Sequence, residues 1–139
     1  LCYLTREGRQ VKASRYFIGP DHDHWLKMIG EKFSCSIEDC TSMSYDPLLE
    51  ESIKLNRDPL ECENPATAYH VAMAIIIRRQ CESIRLVEGR NAPLVILVDG
   101  GFARNAVYMG MLARAFPGTQ VEAASLPQAS ALGAAMALG

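Results

Sequence analysis

The clearest pattern lies between residues 66 and 87, where apolar positions recur at helical spacing. Met73, Ile76, Ile77, Cys81, Ile84 and Val87 share one stripe, while Arg78, Arg79, Glu82 and Arg85 take the other side. That stripe predicts an amphipathic helix, with Arg78 and Glu82 at ion-pair separation and Gly89 as the stop. Leu94-Val95-Ile96-Leu97-Val98 follows, apolar on both faces, and runs into Asp99-Gly100-Gly101. A strand of that kind belongs in the middle of a parallel sheet. Residues 103–116 predict a second helix, with Val107, Tyr108, Met111, Leu112 and Ala115 inward. Residues 120–124 predict a second strand, and Pro127 opens an Ala-rich final helix.

The first half is less regular. Cys2 and Leu4, then Val11, Ala13 and residues 16–18, predict two short strands around the polar turn Arg6-Glu7-Gly8-Arg9. Gly19-Pro20-Asp21 should end the second strand and open a helix. Pro20 suits the first helical position, and Asp21 and Asp23 suit the positive end of the helix dipole. Trp25, Met28, Ile29 and Phe33 fall on one face of that helix. Residues 34–65, rich in Ser, Asp, Glu and Pro, predict an irregular excursion with a short apolar helix around 48–55. The fold class expected is α/β: an N-terminal β-hairpin, then α-β-α-β-α.

Composition narrows the function. A chain of 139 residues suits one domain. Its 14 basic and 16 acidic residues leave a net charge of −2, with no electrostatic footprint for nucleic acid or an anionic membrane. The longest apolar run, residues 71–77, is too short to span a bilayer. No secretory signal precedes the first strand and no Met begins it, so the expectation is a piece of a longer cytoplasmic protein. Five cysteines (Cys2, Cys35, Cys40, Cys62, Cys81) make an odd set with no CxxC pair, which predicts reduced thiols. Cys35 and Cys40, beside a helix end, read as free thiols in or near a core.

Chemistry concentrates at Val98-Asp99-Gly100-Gly101-Phe102-Ala103-Arg104-Asn105. Ligands of open α/β sheets bind outside the carboxyl ends of strands. Two successive glycines there let a ring or a phosphate approach the backbone beside the N–H groups of the next helix. A tight turn explains the same residues, and the pattern alone leaves both readings open. No G-x-G-x-x-G and no Walker A sequence is present. Asp21-His22-Asp23-His24 invites a metal, but four consecutive side chains cannot converge on one ion from a single turn, so a solvated helix start is preferred. His70 reads as structural and Arg104 as solvent-facing.

The run VDGGFARNAVYMGMLARAFPGTQVEAASLPQASALGAAMALG resembles the C-terminal end of the FGGY-family carbohydrate kinases. In that family a strand ends in D/G-G-G. Three variable residues and an Asn follow, then a helix, a short strand and an Ala-Leu-Gly-Ala-Ala helix. Here the matching residues are Asp99-Gly100-Gly101, Asn105 and Ala131-Leu132-Gly133-Ala134-Ala135. Details look nearest to a rhamnulokinase- or fuculokinase-like branch. The resemblance implies part of the C-terminal, nucleotide-binding domain of a two-domain enzyme with an actin-like (ribonuclease-H-like) ATPase fold, covering residues 1–139.

The intact enzyme would move the γ-phosphoryl of ATP, held with Mg²⁺, to a ketose of rhamnulose, fuculose or xylulose type. The sugar would be bound through the other domain, with homodimerisation left open. By resemblance Gly101 and Asn105 contact the nucleotide, Gly100 forms the neighbouring turn, and Gly19 is the candidate for a further adenosine contact. On that alignment His24 approaches the adenine. The family's D-x-G-T-T/S phosphate loop and catalytic Asp are absent, so this stretch is expected to be inactive by itself. The alternatives are a non-catalytic nucleotide-binding or regulatory module of the same fold, and a dinucleotide-binding fragment of an oxidoreductase.

Overall fold

In the computed structural model the residues described are 2–4, 10–54, 56–88 and 93–124. Strands β1 (Cys2–Leu4) and β2 (Gln10–Lys12) pair antiparallel, with Tyr3 opposite Val11. The turn expected between them lies outside the described residues, as do Gly89, Pro127 and the Ala131–Ala135 block.

Helix α1 spans Ile18–Phe33. It starts earlier than Gly19-Pro20 suggests, so Gly19 lies inside the first turn and residues 16–18 form no strand. Its N-cap, Phe17, offers no side-chain acceptor. Leu26 and Ile29 are its buried residues, whereas Trp25 and Phe33 are half-buried against the core. The Tyr16 hydroxyl donates to Asp21 at 2.6 Å, and Arg79 pairs with the same carboxylate oxygen at 2.6 Å. This clasp ties α1 to the next long helix in the chain, which carries Arg79.

Residues 34–65 hold more order than their composition suggests. Helix α2 (Ile37–Thr41) is closed by a capping box between Ser36 and Asp39. Helix α3 (Pro47–Ser52) is capped by Asp46, whose carboxylate accepts from Leu48 and Leu49 N–H. A 3₁₀ turn at Pro59–Glu61 is capped by Asp58. The Asp46-Pro47 and Asp58-Pro59 pairs are helix starts: Asp supplies the acceptor and Pro takes a position whose N–H needs no partner.

Helix α4 (Pro65–Arg85), capped by Asn64, is the centre of the molecule. Ala68, Tyr69, His70, Val71, Ala72 and Met73 are buried in succession, so its first half is enclosed on all sides rather than along one stripe. Its second half keeps the stripe, with Ile76, Ile77 and Cys81 inward. Arg78 reaches Asn56 Oδ1 at 3.5 Å instead of pairing with Glu82. Both His70 nitrogens are engaged, Nδ1 with the Ala66 carbonyl at 2.9 Å and Nε2 accepting from Asp46 N–H at 3.2 Å. His70 thus pins the start of α3 to α4.

Strands β3 (Val95–Val98) and β4 (Gln120–Ala123) pair parallel, Val95 opposite Gln120 and Val98 opposite Ala123. Between them a 3₁₀ turn (Gly101–Arg104) leads into α5 (Ala106–Ala115). The expected continuous helix over 103–116 is thus split at Asn105. Val107, Tyr108, Met111 and Leu112 are buried as the pattern predicts. Among the described residues the parallel sheet has two strands and one covered face. Val98 is buried and Ile96 packs on the core, while Leu94, Val95 and Leu97 are exposed. A strand apolar on both sides needs cover on both, and no described element supplies the second. The described architecture is mixed α/β with a small parallel sheet.

Candidate functional site

The turn after β3 is built around one backbone requirement. Gly100 sits at φ 81°, in the region that favours glycine, and its N–H donates to Asp99 Oδ1 at 2.7 Å. Asp99 thus shapes the turn. Gly101 differs: its φ is not positive, and a Cβ added to it would meet no atom within 4 Å. Nothing in the chain itself demands a glycine there.

A pocket of about 330 Å³ opens beside this turn, lined by His22, Thr41, Gly101, Phe102, Arg104 and Asn105. It gathers α1, α2, the 3₁₀ turn and the start of α5. Phe102 supplies an aromatic surface, tilted on Tyr108 with centroids 4.9 Å apart and edge-on to His22 at 5.0 Å. Phe102 also borders a second cavity of about 300 Å³ beneath β3, lined by Ile96, Val98 and Leu112 among others.

Asn105 is 5% exposed and caps α5, its Oδ1 accepting from Tyr108 N–H at 2.9 Å. Because a backbone N–H fixes which end of the amide is oxygen, Nδ2 must be the atom 2.7 Å from the Tyr69 hydroxyl. Tyr69 is fully buried and also lies 2.9 Å from His22 Nε2. The phenol accepts from Asn105, and giving its own proton to His22 Nε2, with the ring protonated on Nδ1, is the assignment that uses the donor of this buried hydroxyl. Burial pushes the Tyr69 hydroxyl up to about 12, which keeps that proton in place. Burial likewise lowers the pKa of His22, with Asp23 opposing, and favours the neutral ring this chain of bonds requires.

Of the sequence-predicted site residues, Gly101 and Asn105 share the pocket wall, and Gly100 is the adjoining turn. Gly19 lies in the first turn of α1, one turn before His22, and is not among the lining residues. His24 is exposed and edge-on to Trp25, so it is His22 that faces the pocket. Arg104, expected in solvent, is exposed yet contributes to the wall. Phe102 lies inside the segment the sequence singles out, though without a role there, whereas Thr41 and Tyr69 carry no motif that would have found them. Asn105 leaves one amide hydrogen and one lone pair uncommitted, enough for a ligand contact but subordinate to its work as a cap.

No family model matches the sequence, and no curated protein matches it. Among solved structures the chain is similar to the activator of the 2-hydroxyisocaproyl-CoA dehydratase from Clostridium difficile, a structure with bound ADPNP. The TM-score is 0.47 at 14% identity, over 91% of this chain and 50% of that one. The chain thus spans half the length of that structure, and a likeness this slight carries no argument about function.

Proposed function

We propose that the pocket beside the Gly100-Gly101 turn binds the adenosine half of ATP, as the nucleotide wall of an ATP-dependent carbohydrate kinase that phosphorylates a ketose. The observation that carries the reading is Gly101. Neither its backbone angles nor its neighbours require glycine, yet its missing side chain widens a pocket of about 330 Å³. That volume falls at the small end of ligand pockets and suits part of a nucleotide. Phe102 offers a stacking surface, His22 and Asn105 offer polar edges, and Arg104 offers a cation. No carboxylate lines the pocket, so its donors do not fit Mg²⁺, which favours carboxylate and water oxygens. The metal would arrive with the phosphates and be held elsewhere. Phosphoryl transfer also needs a base and an in-line acceptor, which no residue of the pocket supplies.

The test is titration of the 139-residue chain with ATP and, separately, NAD, beside Gly101→Val. We expect weak saturable binding of ATP, tighter than NAD, and loss of it in a variant whose thermal melt is unchanged. Equal ATP affinity in folded Gly101→Val would sink the assignment.

A further inference from the structure

Two thiols stand together just behind the pocket wall. Cys35 Sγ, in the bend after α1, lies 3.5 Å from Cys40 Sγ in α2. Cys40 is completely buried, whereas Cys35 is partly accessible. Cys62 and Cys81 are both buried. A disulfide requires sulfurs about 2 Å apart, so closing this pair takes an approach of about 1.5 Å. Thr41, the residue after Cys40, lines the pocket, and α2 packs on both α1 and α4.

We propose that Cys35 and Cys40 form an oxidisable dithiol that closes to an internal disulfide and, through α2, shifts Thr41 on the pocket wall. With hydrogen peroxide as oxidant the steps balance. The accessible Cys35 thiolate attacks one peroxide oxygen, the O–O bond breaks, and hydroxide leaves to become water. Cys35 is now a sulfenic acid. The Cys40 sulfur attacks the Cys35 sulfur, the S–O bond breaks, and a second water departs with the Cys40 proton. Two thiols and one peroxide give one disulfide and two waters. The order follows from access, since the exposed thiol meets the oxidant and the buried one resolves it. Burial, reinforced by Cys35, pushes the Cys40 thiol up to about 12, so Cys40 is not the thiol that meets peroxide first. Transient redox-sensing pairs are the kind of disulfide a reducing compartment tolerates.

The experiment treats the 139-residue chain with equimolar peroxide, then alkylates it in denaturant and maps the peptides by mass spectrometry. The expected product has lost two hydrogens, in one peptide carrying both Cys35 and Cys40. Dithiothreitol reverses it, and Cys35→Ser does not form it. In the oxidised protein the backbone amide resonances of Thr41, Gly101 and Phe102 should move, while those of Cys40→Ala treated alike should not. Oxidation that links separate chains, falls first on Cys62 or Cys81, or stops at the sulfenic acid overturns the pairing. A Cys35–Cys40 disulfide formed with no movement of the pocket amides overturns the coupling. Neither outcome depends on what the pocket binds.

Discussion

Replacing Asn105 by Ala removes two bonds that the structure makes inside the protein. The first is the cap on α5: Tyr108 N–H loses its acceptor at a buried position. Losing an N-cap costs about 1 kcal/mol, and a buried orphan donor moves the figure to about 2 kcal/mol. The second is the Asn105–Tyr69 bond, worth about 1 kcal/mol because Tyr69 keeps its bond to His22. Together the loss is about 2–3 kcal/mol, a large share of the total stability of an ordinary domain. For a chain of 139 residues that amounts to a fall of about 6–12 °C in melting temperature. Asn105→Ser separates the two terms, since a serine hydroxyl can cap but is too short to hold Tyr69. It should lose about 1 kcal/mol. Urea denaturation of the three proteins, followed by circular dichroism, reads both differences. An Ala variant as stable as the parent would refute the account of the buried cap. If Ser proves as damaging as Ala, the cap contributes nothing. Loss of ATP binding without loss of stability would move the amide from the fold to the ligand.

Burial lowers the pKa of His22 below 6.5, so the unfolded chain binds the extra proton first. Its contribution is complete above pH 6.5 and is lost as the pH falls through the lowered value. Urea midpoints at pH 7.5 and 5 should therefore differ more for the parent than for His22→Gln, and equal differences would refute the role. Gly110→Ala should destabilise although Ala is the better helix former by about 1 kcal/mol, because the added Cβ would lie 2.3 Å from the Tyr45 ring. We expect a net loss of about 1–2 kcal/mol in thermal melts, and a stabilised variant would show that the ring moves freely. The chain should release no ADP in a coupled assay with ATP and a panel of ketoses, and sugar-dependent turnover would overturn the view that the reacting groups lie elsewhere.

The sequence reading succeeded where burial imposes a period. The stripe in the second half of α4 and the inward residues of α5 follow from it, while β3 follows from an unbroken apolar run rather than from a period. It failed where side chains, not periodicity, decide the backbone. Asn105 was read as lying inside a helix begun at Ala103, and only the capping bond shows that the helix starts after it. Asp46-Pro47 and Asp58-Pro59 fall in the stretch whose composition predicts irregular chain, because the same residues serve turns and helix starts alike. The histidine facing the pocket was misassigned for a geometric reason. His22 and His24 lie about 200° apart around a helix, so only one of them can face the pocket, and it is His22. Tyr69 could not be found at all, because full enclosure of a helix erases the apolar face that a periodic reading depends on.

The bonds from Tyr108 through Asn105 and Tyr69 to His22 join α1, α4 and α5, elements 36 and 47 residues apart along the chain. A phosphate-binding loop is made by one short stretch and can persist when its surroundings loosen. This pocket cannot. Its wall is drawn from α1, α2, the 3₁₀ turn and the cap of α5, and the bonds through Tyr69 hold α1 and α5 to α4 behind it. Local opening of α1 or of the start of α5 should therefore break the wall. On the reading proposed above, a ligand in the pocket would act as a keystone added from outside, raising the free energy of the cooperative transition as a whole by mass action.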